Sequence, residues 1–216
     1  MELRSINDAE RDLPPEFCRY HDEDAENYRW SDDEIDRHIA HAVKDFSEVI
    51  PLEQKATKAT TSGSREIDIS TITDRVMVRA VEYPVDRFLL VYQRFALWAD
   101  TVTLFGTQIP DGFDAYIDYG KLHTLDAGSS TIPTQYEDLI AVGACGYAAV
   151  EWAVYAIERV NVGGTETPDK LLEWGRERLR QFRKELKRLG RKNRVRVCSL
   201  YQSHYPVMSK STDYGP

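Results

Sequence analysis

The sequence predicts an α+β fold: a small helical bundle of about three main helices, an antiparallel β-meander or sandwich insertion, and extended N- and C-terminal arms. Three observations predict it. Apolar residues recur at helical spacing near both ends of the chain, short β-branched segments fill its middle, and both termini are poor in aliphatic residues. With 216 residues, of which 42% are hydrophobic, the chain can bury one sizeable core that carries an insertion.

The segment 1–29 is rich in acidic residues. Over residues 1–48 there are 15 acidic and 6 basic residues, a net charge of −9. We therefore expect an acidic N-terminal arm, followed by a folded domain at 30–190. The start of the chain has neither the basic residues nor the apolar run of a signal peptide, so we do not expect export.

The first helix is expected at 31–50. Ser31 and Glu34 match a capping box, and Pro51 ends the helix. The apolar positions form one stripe that must pack on another element: Ile35, Ile39, Ala42, Val43 and Phe46.

Residues 52–64 are polar and rich in Gly, Ser and Thr, which is typical of a linker. The β insertion follows at 65–120. Its strand candidates are 65–72, 75–81, 88–95, 101–105 and 115–119. Turn residues between them, such as Ala99 and Asp100, favour hairpins and thus an antiparallel meander.

The second helix is expected at 134–161, where Thr134 and Glu137 suggest another capping box. Its residues are apolar almost all round, and several are Gly or Ala, as in a central helix that its neighbours approach closely. Glu151, many small residues and a mean hydropathy of −0.51 for the whole chain argue against a membrane span.

The third helix is expected at 168–189, after Thr167 as N-cap and with Pro168 at its first position. Between Asp169 and Arg196 there are 12 basic and 4 acidic residues, a local charge of +8, which leaves −16 on the rest of this −8 chain. This excess charge predicts contact with the acidic side of another copy or, as a second choice, with nucleic acid. The inter-subunit candidates here are Arg176, Arg180, Arg183 and Lys187.

The tail 191–216 has no helical period and predicts an extended C-terminal arm. Its aromatic and basic residues have no obvious partner within the domain.

Sites for catalysis or cofactors are not evident. The chain has no P-loop, no G-x-S-x-G elbow and no Cys pair at metal-ligand spacing. Four possible metal ligands align along the first helix, but no second E-x-x-H motif would face them. We interpret this stripe as polar residues beside the core or as a subunit contact: Glu34, His38, His41 and Asp45.

His123 lies between the last strand candidate and the second helix. A general base would need an orienting carboxylate and a nucleophile, and Asp126 and Ser129 are near it only in sequence. We favour a histidine that hydrogen-bonds a loop.

The order of several motifs resembles that of head–tail adaptor (connector) proteins of tailed bacteriophages, over roughly residues 30–190. The motifs are Trp30 followed by Ser31–Ile35, a β insert with Tyr83–Pro84, then Tyr119, Leu122–Leu125, Ser130–Pro133 and an Ala/Gly-rich helix.

This resemblance implies a structural virion protein without catalytic residues, cofactor or metal. It would form a ring, usually of twelve copies, at the virion neck between the portal and a stopper, tail-tube or tail-terminator protein, after synthesis in the host cytoplasm. Viral DNA would pass through its channel, and no membrane would be involved. By position, the portal-docking candidates are Arg191, Lys192, Arg194, Arg196, Tyr201 and Tyr205.

Two alternatives remain open. The β insertion could display an aromatic surface to a small ligand or glycan, through Tyr92, Trp98, Phe105 and Tyr116. A metal-dependent hydrolase built on Glu34, His38 and His41 is the less favoured alternative.

Overall fold

A computed structural model describes residues 30–87, 90–106, 109–126, 128–156 and 168–199, with side chains up to residue 194. Its contacts divide the chain into two units. The helical unit comprises residues 30–52 and 121–190 of the described chain, and the β unit comprises residues 53–120 together with the helix end 191–199. The predicted α+β fold with three helices and antiparallel strands is confirmed for the residues described.

Three α-helices are present in the described chain, and they are α1 (Asp32–Val49), α2 (Glu137–Ala156) and α3 (Pro168–Ser199). The expected capping box of α1 forms. The Glu34 backbone N–H donates to Ser31 Oγ at 3.3 Å, and the Ser31 N–H donates to Glu34 Oε2 at 2.9 Å. The predicted bounds of this helix are therefore correct to within one residue.

The second capping box is wrong. Residues Thr134–Tyr136 form a 3-10 turn whose N-cap is Pro133, with no side-chain cap hydrogen bond. The Tyr136 N–H donates to the Pro133 carbonyl, so Thr134 lies inside the turn and cannot cap α2. Residues 157–161 of the predicted helix lie outside the described residues.

The third helix is ten residues longer than the sequence pattern indicates. Gly190, the residue after the predicted end, stays helical. It faces Val49, whose Cγ1 would lie 3.0 Å from a Cβ at this position. The glycine thus serves a close approach between helices. The predicted extended arm 191–216 is wrong for residues 191–199, and its remainder lies outside the described residues.

Eight short strands occur in the described chain. They are β1 (Leu52–Ala59), β2 (Glu66–Asp68), β3 (Arg75–Glu82), β4 (Phe95–Trp98), β5 (Thr101–Leu104), β6 (Asp114–Lys121), β7 (Leu125–Asp126) and β8 (Ser129–Ser130). They form two three-stranded sheets, in the orders β1–β6–β3 and β2–β5–β4, and the small pair β7–β8.

The β insertion departs from the predicted meander. The predicted linker 52–64 instead contains β1, a polar strand at the edge of its sheet. Strand β1 has no apolar face; it pairs with β6, and its half-buried Ala56 packs against the core. Since β6 separates β1 from β3, strands far apart in sequence pair. The hairpin around Ala99 and Asp100 is confirmed, with Trp98 opposite Thr101.

Each unit has its own core. In the helical unit, Phe182 of α3 is fully buried, and a Cβ on Gly143 of α2 would lie 3.0 Å from its ring. The small residues predicted for α2 therefore allow α3 to approach. In the β unit, Ile67, Ile69, Val102, Leu104 and Ile117 form the centre of the core.

The stretch Thr134–Ala156 would be long and apolar enough to cross a bilayer, but core helices of water-soluble proteins pass the same test. Its buried residues include Ala144, which belongs to the core shared with α1.

Candidate functional site

The four residues of the stripe predicted on α1 lie in different surroundings in the structure. Glu34 is part of the capping box, and hydrogen bonds from Ser31 lower the pKa of its carboxyl. His38 is 3% exposed, and its Nε2 lies 3.8 Å from Glu151 Oε2 on α2. Burial lowers the pKa of His38. A residue so buried cannot serve as the predicted subunit contact, because α2 already covers it.

His41 and Asp45 form a second group with α2. The His41 ring stacks on the Tyr147 ring with centroids 4.0 Å apart, and the Tyr147 hydroxyl donates to Asp45 Oδ2. The Arg183 side chain of α3 also donates a hydrogen bond to the Tyr147 hydroxyl. These residues therefore join the three helices. Among the described residues, no three His, Cys, Asp or Glu side chains lie together as metal ligands would.

His123 is the buried loop anchor that the sequence suggested. Its Nε2 lies 3.0 Å from the Ile50 carbonyl oxygen, and its Nδ1 lies 2.9 Å from the Thr131 carbonyl oxygen. Its backbone N–H donates to Ser47 Oγ at 3.0 Å. Burial lowers the pKa of His123, and the two carbonyl contacts oppose that shift only in part. The ring therefore ties the end of α1 to the segment that precedes α2.

A charged cluster in the β unit was missed by the sequence analysis. Glu82 is 1% exposed, and Lys55 Nζ lies 3.5 Å from its Oε2 and 3.9 Å from Asp118 Oδ1. The Asp86 N–H donates to Glu82 Oε1 at 3.3 Å, and the Tyr116 ring lies under Lys55. Burial raises the pKa of Asp118, Lys55 opposes this shift, and Glu82 adds to it.

A signal for this cluster exists in the sequence. Arg79 and Glu82 interrupt the β-branched run of β3, and both are buried. Arg79 is paired with Glu53, and Glu82 with Lys55, so both charges find their partners on β1. The partners come from the segment that the sequence had suggested was a linker, which is why the pairs were not found.

The β unit exposes large apolar side chains. Trp98 is 85% exposed at the β4–β5 hairpin, Phe113 is 70% exposed, and Phe105 is 63% exposed. Tyr92 and Tyr116, which the sequence analysis grouped with Trp98 and Phe105, are instead half-buried around the Glu82 cluster. The predicted aromatic surface thus contains Trp98 and Phe105 as freely accessible members.

Near Phe113 there is an open groove of about 520 Å³. Its lining combines apolar and charged residues: Tyr83, Pro84, Val85, Arg87, Ile109, Asp111, Phe113 and Asp114. The Tyr83 hydroxyl accepts a hydrogen bond from the Asp111 N–H at 2.9 Å. The groove therefore has a fixed polar wall beside exposed aromatic residues.

The four inter-subunit candidates on α3 are all exposed: Arg176, Arg180, Arg183 and Lys187. Of the portal-docking candidates, Arg191, Lys192 and Arg194 are exposed on the last turns of α3. Arg196 lies in that helix, but its side chain is not among those described, and Tyr201 and Tyr205 lie outside the described residues.

No protein-family model matches the chain, and a search of curated proteins found no significant match. The geometry must therefore be interpreted from the chain itself. The described polar clusters join structural elements, whereas the exposed aromatic and cationic side chains remain available for contacts with other molecules.

Proposed function

We propose that this chain is a structural assembly protein: a head–tail adaptor that forms a ring between the portal and the tail or stopper proteins of a tailed-phage virion. The order of elements supports the proposal. A capped helix precedes a β insertion, a histidine loop follows, and a small-residue helix and a long basic helix complete the chain. As far as the small-residue helix, this is the order of the motifs on which the resemblance rests.

The observation that carries the proposal is the exposure of Trp98, Phe105 and Phe113 on the β unit. Large exposed apolar side chains are typical of interaction sites, and aromatic residues are enriched at the centres of protein interfaces. An adaptor would bury them against a neighbouring copy or a tail protein. The exposed cations on α3 give the chain a second, chemically different surface.

Truncation after Ser199 tests the docking role of the C-terminal segment. It removes residues 200–216 and leaves every described helix complete. We expect the truncated chain to fold as before and to lose binding to the portal protein of the same phage in sedimentation experiments. A second variant replaces Arg191, Lys192 and Arg194 with Gln in the full chain, and it should weaken portal binding in part. Full portal binding by both variants would contradict the docking role.

A second candidate function is a ligand-binding module of a virion. The groove beside Phe113, with the Tyr83–Asp111 contact in its wall, favours it. A glycan panel titrated onto the labelled protein would show shifts confined to groove residues if this function is correct. An adaptor would show no saturable binding there.

A further inference from the structure

The exposed cations of α3 form one continuous row. Arg176, Arg180, Arg183, Lys184 and Lys187 are spaced 4, 3, 1 and 3 residues apart, and each is exposed. At 3.6 residues per turn these positions fall within an arc of about 100° over about 17 Å of helix. We call these five residues the cationic row. Arg191 and Arg194 follow it at the same helical spacing.

Few acidic side chains neutralise the row. Arg180 pairs with Glu177, and Arg183 bonds Tyr147. Arg176, Lys184 and Lys187 make no hydrogen bond or ion pair with any other residue that the structure describes. The apolar face of α3, with Leu179 and Phe182, is buried on another side of the helix. The row is thus presented to solvent and plays no part in the core.

We propose that the cationic row binds the phosphate backbone of double-stranded nucleic acid without sequence preference. Its cations are spaced about 4 Å apart along the helix axis, close to the phosphate spacing of about 3.4 Å along one DNA strand. Three of the five are arginines, whose guanidinium groups match phosphate oxygens in bidentate geometry.

An acidic protein segment is the competing occupant, and the composition of the row argues against it. The centres of protein interfaces are depleted of charge and contain apolar or aromatic anchors. Between Arg176 and Lys187 the exposed arc holds no apolar residue. A surface with an excess of cations and no apolar anchor is typical of phosphate contacts, which add affinity without base recognition.

The inference rests on the proposed adaptor function only for the source of the DNA. Phosphate binding itself belongs to the isolated chain and can be measured without a portal or a ring. A chain that binds duplex DNA but is absent from virions would refute the adaptor function alone.

The test measures fluorescence anisotropy of a labelled 30-base-pair duplex with the full-length chain, between 50 and 200 mM salt. The row variant carries R176Q, K184Q and K187Q. The control variant carries K44Q, R87Q and R94Q, which change net charge equally at exposed cations outside the α3 sequence. Circular dichroism spectra check that both variants fold as the wild type does.

We expect binding by the wild type with a slope of about −4 in a log–log plot against salt. The row variant should lose at least about tenfold in affinity at 50 mM salt and flatten the slope by about 3, whereas the control should lose less than about threefold. Absence of wild-type binding, or an equal loss in both variants, would overturn the proposal. So would row-dependent binding of a peptide of residues 1–29 in place of DNA.

Discussion

The helical unit and the β unit bury polar side chains in different ways. In the helical unit, His123 and Ser47 are buried beside carbonyl oxygens: the Ser47 hydroxyl donates to Val43, and the neutral His123 ring has one N–H to donate to the carbonyl of Ile50 or of Thr131. In the β unit, Arg79 and Glu82 are buried as charged side chains. Their partners, Glu53 and Lys55, are about half exposed.

The two kinds of buried polar group respond differently to mutation and to pH. Neutral groups bonded to the backbone hold the connections between helices, and a lost contact leaves carbonyl oxygens without a partner. A buried charge with a solvent-exposed partner depends on electrostatics that water and pH can weaken. The outer surfaces differ as well, since exposed cations line α3 and exposed aromatic residues mark the β unit.

The largest effect is expected in the core of the helical unit. Phe182→Ala removes a fully buried ring that fills the space beside Gly143. We expect the free energy of unfolding to fall by about 3–5 kcal/mol in guanidinium denaturation. Val154→Ala, at a residue that is 59% exposed on α2, is the control and should change it by less than about 0.5 kcal/mol. A loss below about 1 kcal/mol for Phe182→Ala would mean that α2 and α3 do not share a core.

The next effect concerns the neutral anchor of the helical unit. His123→Phe keeps an aromatic ring and removes both carbonyl contacts, so we expect a loss of about 1–3 kcal/mol at pH 7.5.

The pH dependence of this loss identifies its cause. Because the pKa of His123 is lowered, the unfolded chain binds a proton more readily than the folded chain, and acidification below the ordinary value of 6.5 destabilises the wild type. The difference between wild type and His123→Phe should therefore shrink as the pH falls below 6.5. A constant difference from pH 7.5 to 5 would show that packing alone is lost.

A smaller effect is expected in the charged cluster of the β unit. Lys55→Met removes the cation beside Glu82 and Asp118 and should cost about 1–2 kcal/mol at neutral pH, less than a fully buried pair because Lys55 is half exposed.

This loss should fade in a more acidic range than that of His123→Phe. The pKa of Asp118 is raised, so this carboxyl takes up its proton in the folded state before the pH reaches its ordinary value of 3.8. Once Asp118 is protonated, Lys55 no longer stabilises its carboxylate, and wild type and variant should converge. Lys58→Met, on the same strand and away from the cluster, is the control. Divergence of the two proteins in acid would contradict the electrostatic explanation.

The smallest effect on stability is expected at the exposed aromatic surface. Trp98→Ser should change the free energy of unfolding by less than about 0.5 kcal/mol, because the side chain is 85% exposed. It should nevertheless weaken assembly with partner proteins, measured by sedimentation velocity. Thr101→Ser, opposite Trp98 in the hairpin, serves as the control. Unaltered assembly of the Trp98 variant would remove this residue from the interface.

The helices could be predicted further than the sheets because their signals are local. Ser31 and Glu34 lie three residues apart and cap the same turn, so one sequence window contains the whole motif. The third helix continues past its predicted end at 189, and there Gly190 lies against Val49, a residue distant in sequence. Strand β1 has no apolar alternation, and its pairing with β6 could not be seen from the sequence.

The candidate site follows the same rule. The interpretation of His123 as a histidine that hydrogen-bonds a loop is confirmed by its contacts with the carbonyls of Ile50 and Thr131. The contacts of Lys55 with Glu82 and Asp118 join three strands whose order the sequence did not reveal. The exposure of Trp98 likewise depends on its place in the folded β4–β5 hairpin, which the sequence alone does not show.

Electron cryo-microscopy of the phage neck tests the central proposal most directly. We predict a closed ring of this chain between portal and tail, in which Trp98, Phe105 and Phe113 are buried against neighbouring proteins. Virions that lack the chain, or a ring that leaves all three side chains exposed to solvent, would contradict the proposed adaptor function.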